Sequence, residues 1–137
     1  MNDLLLSLLF FCTAYMTGVI WFVQLIKYPM LGPVTDPAFA THHQEYTRRM
    51  GWVVGPVMIL EMALQVVWMV QTPGLAAYSS GSLLSLIWIS TFALQVPLHE
   101  RLAREYQPRW HRQLVHTNWI RTLAWTLRSA LLIATLS

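Results

Sequence analysis

The chain has 137 residues, 55 % of them hydrophobic and only 11 % charged, with a formal net charge of +3. A soluble domain carries about 25 % charged residues, so this composition excludes an ordinary soluble fold and points to one integral membrane domain over residues 1–137. The positive balance does not make a nucleic-acid reader, because the basic residues sit in two polar connectors and the last apolar segment, not in a basic arm or recognition helix.

The first apolar run spans roughly residues 4–28 and ends at Pro29. It is too long for a signal-peptide core, has no basic residue before it, and reads as a retained transmembrane helix. Thr13, Thr17, Gln24 and Tyr28 recur along it at spacings of four, seven and four, one polar stripe on an apolar rod. Such a stripe serves either helix–helix contact or a site. The lone cysteine, Cys12, lies in the same run, which leaves no intrachain disulfide and no thiolate metal site. In the connector that follows, Gly32, Pro33 and Pro37 mark a turn, and Asp36-Pro37 is a helix start. Residues 38–50, with His42, His43, Glu45, Tyr46, Arg48 and Arg49, read as a short amphipathic interfacial helix.

A second span covers roughly 51–70, with Glu61 near its centre and Gln65 one turn on. Desolvation disfavours a charged carboxylate there, so Glu61 is protonated or paired. Residues 72–82 form a polar loop without a basic residue, and a third span covers roughly 83–98, closed by Pro97. Trp88, Thr91, Gln95 and His99 follow one stripe of it. The connector from His99 to His116 carries Arg101, Arg104, Arg109, His111 and Arg112 and reads as a second interfacial helix, broken at Pro108. The fourth span, roughly 117–136, contains two arginines. At about 100° per residue, Asn118, Arg121, Trp125 and Arg128 fall within about 80° on one face. An arginine at the bilayer centre costs about 2.5–3.5 kcal/mol on insertion scales, so this face must meet polar groups inside the protein. Glu61, half-way through its own span, is the natural partner of Arg128, either as a pin between helices or as part of a site.

The expected fold is therefore all-α: a four-transmembrane-helix bundle with short amphipathic cytoplasmic helices in the 1–2 and 3–4 connectors. The Lys and Arg residues, nine in all, lie in or beside the two long connectors or in the fourth span. The positive-inside rule then puts both connectors in the cytoplasm and both termini outside. A short echo, Val23-Gln24-Leu25-Ile26-Lys27-Tyr28-Pro29 against Leu94-Gln95-Val96-Pro97, suggests two related helix–connector–helix halves.

Three features carry chemistry. The Glu61–Arg128 pair is one. The histidines are another: His43, His99 and His111 are candidate proton-handling groups and candidate ligands of a transition metal. No spacing among the histidines matches a metal motif, and none lies far enough inside a span to suit bis-histidine haem. The third is a set of amide, aromatic and cationic side chains, namely Gln24, Tyr28, Gln95, Asn118, Arg121, Trp125 and Arg128. These line a pocket for a hydrophobic molecule such as a quinone or an aromatic. The Tyr28-Pro29 end of the first span, the His-bearing connector and the run His116-Thr117-Asn118-Trp119-Ile120-Arg121-Thr122 resemble small bacterial four-helix integral membrane proteins of the anthrone oxygenase-like group. That resemblance implies a bacterial inner-membrane location and oxidation of a lipophilic aromatic. The expectation is a membrane-embedded oxidoreductase or binding protein. The competing classes are an accessory subunit of a larger membrane complex and a small transporter working as a homo-oligomer.

Overall fold

The computed structural model describes residues 2–31 and 39–137, and its regular elements are all helices. Helix α1 (Asn2–Phe22) passes through a π-helical turn (Val23–Lys27) into α2 (Tyr28–Met30). Helix α3 (Phe39–Gln71) follows, then α4 (Leu75–Ser90), a second π-helical turn (Thr91–Gln95) and α5 (Val96–Arg104), and finally α6 (Pro108–Leu136). Without breaks between α1 and α2 or between α4 and α5, these make four long rods. The stretches Asp3–Met30, Thr41–Gln71 and Leu75–Arg104 are each long and apolar enough to cross a membrane. The turn expected at Gly32–Pro37 lies outside the described residues.

The rods differ from expectation at their ends. The helix expected over 38–50 is not separate, because α3 runs unbroken for 33 residues. At 1.5 Å per residue it is about 50 Å long, well beyond the ~30 Å of bilayer hydrocarbon. The second connector is likewise divided between the end of α5 and the start of α6. The break falls at 105–107, where Glu105 and Gln107 are extended. Pro108 explains it: a proline pushes the residue before it out of the helical region, yet suits the first turn of the next helix. The middle loop shrinks to 72–74. The polar residues after it are helical, and the hydroxyl of Ser82, like that of Ser85 one turn on, is satisfied by the carbonyl four residues back.

Pro29 and Pro97 do not end their rods. Each follows a π-helical turn that closes two residues earlier, at Lys27 and at Gln95. A proline lacks an N–H and collides with the carbonyl four residues behind it. The wider turn accommodates this: Tyr28 N–H reaches back to Val23 O, and Val96 N–H to Thr91 O. The sequence echo around Gln24 and Gln95 is thus the same local device used twice.

Around the bundle the order is α1, α3, α4–α5, α6, with α6 closing against α1. The interior is polar where a soluble core would be apolar. Thr13, Glu61, Gln65, Ser80, Asn118, Thr122 and Arg128 are buried, whereas Phe11, Trp52, Ile59, Val70 and Leu127 face outward. Such inversion suits lipid as the surrounding solvent. An apolar cluster around Met16 and Ile87 separates the polar levels, and others lie beyond them, around Leu9 and Leu132 at one end and around Leu102 and Leu114 at the other.

Candidate functional site

All four rods meet at the buried ion pair. Arg128 Nη1 donates to Glu61 Oε1, and neither side chain is exposed to solvent. Thr13 O–H donates to the same carboxylate oxygen at 2.7 Å, and Trp125 Nε1–H to the other at 3.2 Å. On the far side of the guanidinium, Nε donates to Ser80 Oγ at 3.0 Å and Nη2 to Gln65 Oε1 at 3.0 Å. Ser80 O–H bonds Gln65 Oε1, and Gln65 Nε2–H bonds the Ala77 carbonyl. The expected pair is therefore formed, with an outer set of donors and acceptors on every rod. It is a closed network, with its polar groups turned on one another rather than toward an opening.

A second polar level lies nearer the basic end. Gln24, on the first π-helical turn, accepts from Asn118 Nδ2 at 2.9 Å and donates to the Val115 carbonyl at 3.2 Å. Gln95, on the second π-helical turn, starts from the opposite rod and meets Tyr28. Here a chain of hydrogen bonds runs across the bundle. Tyr28 O–H donates to Gln95 Oε1 (3.2 Å), and Gln95 Nε2–H donates to Thr117 Oγ1 (2.9 Å). With its proton committed to Gln95, the Tyr28 oxygen accepts from His99 Nε2 (2.9 Å). A neutral His99 then offers Nδ1 as the acceptor for His43 Nε2–H, at 3.1 Å. One pair of tautomers satisfies the run His43–His99–Tyr28–Gln95–Thr117, every donor pointing the same way, an arrangement in which successive bonds polarise one another. The two imidazoles stack with centroids 5.1 Å apart.

Beside this chain is a cavity of about 210 Å³. Its walls are apolar, from Met16, Val19, Ile20 and Val23 on the first rod and Met50 and Val54 on α3. One end is polar: Tyr28, Tyr46, Gln95, His99 and Arg121 converge there. Arg121 is 8 % exposed and differs sharply from Arg128. Among the described residues its Nε has no hydrogen-bond partner, and its Nη1 lies 3.4 Å from Asn118 Oδ1. The guanidinium lies 5.3 Å from the centre of the Trp125 ring, and the Tyr28 hydroxyl is within hydrogen-bonding reach. Among the described residues it forms no ion pair.

Of the residues expected to form a site, Tyr28, Gln95, His99 and Arg121 line the cavity, and His43 joins it through His99. Gln24 and Asn118 support the Arg121 side from behind. Trp125 bridges the two levels, bonding Glu61 by its N–H while its ring lies against Arg121. Glu61 and Arg128 belong to the closed network, and neither lines the cavity. His111 stands apart: its Nε2 bonds the Tyr28 carbonyl oxygen at 2.7 Å and fastens the end of the first rod. The three imidazoles expected as a ligand set do not come together. Among the described residues, no three His, Cys, Asp or Glu side chains are grouped to hold a metal ion. Tyr46 was not anticipated as a lining residue. The signal for it is the spacing Tyr46, Met50, Val54, one face of a helix that continues into the second span. No protein-family model, curated protein or solved structure matches this chain.

Proposed function

We propose that this chain is a four-span protein of a bacterial inner membrane that holds a ring-sized hydrophobic molecule, quinone- or aromatic-like, in the cavity between its first rod and α3. The observation that carries this reading is the convergence of Tyr28, Tyr46, Gln95, His99 and Arg121 on one end of an otherwise apolar cavity. Apolar walls with a few directed polar groups are the usual form of a small-molecule site. At about 210 Å³ it is smaller than the roughly 300–1,000 Å³ typical of drug-sized ligands, which favours one or two rings. His99, hydrogen-bonded at both ring nitrogens to Tyr28 and His43, is the group suited to passing a proton along that chain beside the guest, because a neutral imidazole can accept at one nitrogen while giving up the proton on the other. Oxidation of a lipophilic aromatic, the reaction class implied by the likeness to anthrone oxygenase-like proteins, would draw its electron acceptor from outside this chain. The residues here supply binding and proton exchange.

Photolabelling tests the site. An aryl diazirine probe is expected to mark residues 16–23 and 46–54, and Val54→Trp, which fills the cavity, is expected to remove most of that label. Label confined to the outward residues Phe11, Ile59 and Leu127, and indifferent to Val54→Trp, sinks the proposal.

The fourth span of this reading is α6. Its arginine face is buried while Leu123, Leu127 and Ile133 face outward, which favours a membrane crossing despite two internal charges. Lys27, Arg48, Arg49, Arg101, Arg104, Arg109 and Arg112 gather at the end of the bundle where α2 and α5 finish and α3 and α6 begin. The opposite end has no basic residue, so the basic end is assigned to the cytoplasm. In a Cys12→Ala background, Ser137→Cys should react with an impermeant maleimide from outside, and Arg104→Cys only after permeabilisation. The reverse pattern inverts the topology, and labelling of both from one side removes a span.

A further inference from the structure

Two arginines two turns apart on one face of α6 have opposite surroundings. Arg128 has a carboxylate and two further partners, Ser80 and Gln65. Arg121, also buried, has no carboxylate partner among the described residues, and no carboxylate lines its cavity. A buried guanidinium without a counter-charge is a costly arrangement, and a chain that solves the problem for one arginine has left it open for the other at the wall of a cavity. We infer that the guest of this cavity is a ring-sized hydrophobic carboxylate, held with its carboxylate against Arg121 and the Tyr46 hydroxyl. The inference rests on the cavity being a ligand site.

The donors on the wall support a carboxylate. Thr47 and Thr91 also line the cavity, but their hydroxyls bond the carbonyls of His43 and Ile87. Tyr28 has given its proton to Gln95. Tyr46 makes no hydrogen bond with the described residues, and it lies close enough to Arg121 to interact with its charge. Arg121 and Tyr46, beside the second N–H of Gln95 Nε2, are thus the donors left for a guest among the described residues, and a carboxylate has two oxygens to receive them. A carboxylic acid is ionised near neutral pH, where a phenol is not, and its two oxygens match the guanidinium fork. The apolar walls take the ring. A phospholipid would bring its phosphate to the same arginine, but its acyl chains exceed a space of about 210 Å³.

The test uses the intact chain in nanodiscs of zwitterionic lipid, titrated calorimetrically with naphthoate and with the neutral isostere naphthamide. Naphthoate is expected to bind at least ~30-fold more tightly, as suits a charge pair formed away from water. In Arg121→Gln that ratio should fall to within about threefold, while Arg121→Lys, which keeps the charge but loses the fork, should retain an intermediate ratio of about tenfold. Tyr46→Phe should weaken naphthoate by about fivefold, the scale of one hydrogen bond. If Arg121→Gln does not fold, the lysine and Tyr46→Phe variants decide. Equal affinity for both probes in the unaltered chain overturns the carboxylate and leaves the cavity as a site for neutral rings. Binding of neither probe overturns the ligand site itself. Loss of naphthoate binding when phosphatidylglycerol is added, with that lipid retained on purification, makes the anion a headgroup phosphate and also overturns the inference.

Discussion

Tyr28→Phe is expected to destabilise the protein and to uncouple the two π-helical turns. The phenol oxygen stands at the centre of the chain from His43 to Thr117, receiving from His99 and giving to Gln95. Its loss leaves the Gln95 carbonyl oxygen buried without its donor, a defect that costs about 1–3 kcal/mol. The ring itself stays, still packed with Val23, Leu98 and Leu114, so little apolar burial is lost. The effect should therefore appear as a lower unfolding midpoint with helix content intact. A second readout isolates the relay: the His99 Nε2 proton, held between imidazole and phenol, should exchange faster with water and lose its hydrogen-bonded nitrogen shift. An unchanged midpoint together with an unchanged imidazole spectrum contradicts the hydrogen-bond order assigned to this chain.

The part of this arrangement most open to sequence reasoning was the part governed by electrostatic necessity. A charge in the middle of an apolar segment has few places to go. Glu61 and Arg128 lie at similar depths in antiparallel rods, and the periodicity of Asn118, Arg121, Trp125 and Arg128 put all four on the buried face where they are found. What periodicity does not carry is the contact between rods. His43, His99 and His111 looked equivalent as polar groups at one end, yet two stack and the third fastens a backbone carbonyl. Pro29 and Pro97 read as helix stops, because an isolated proline ends a regular α-helix. A π-helical turn removes the conflict and shifts the helical phase after it, so every residue beyond it faces a direction that the 3.6-residue period does not give. Tyr46 and Ser80 were obscured for a simpler reason. Both lie in stretches polar enough to resemble connectors, and both belong to long helices whose polar side chains turn inward.

The largest effect is expected at the ion pair. Arg128→Met leaves Glu61 buried beside Thr13 and Trp125 with its counter-charge gone. Glu61→Met leaves the guanidinium with only Ser80 and Gln65. Breaking one side of a buried pair costs about 3–5 kcal/mol. Removing both leaves a neutral interior in which Ser80 and Gln65 can still bond each other, while Thr13 and Trp125 each lose the carboxylate as acceptor. The double substitution should therefore cost far less than the two single costs combined, although not nothing. Equilibrium unfolding in mixed micelles, applied to the four combinations at Glu61 and Arg128, measures this coupling directly. A coupling of about 3 kcal/mol between the two positions is the predicted result, and additivity to within about 0.5 kcal/mol would contradict the claim that charged groups from separate rods meet and neutralise each other inside this bundle.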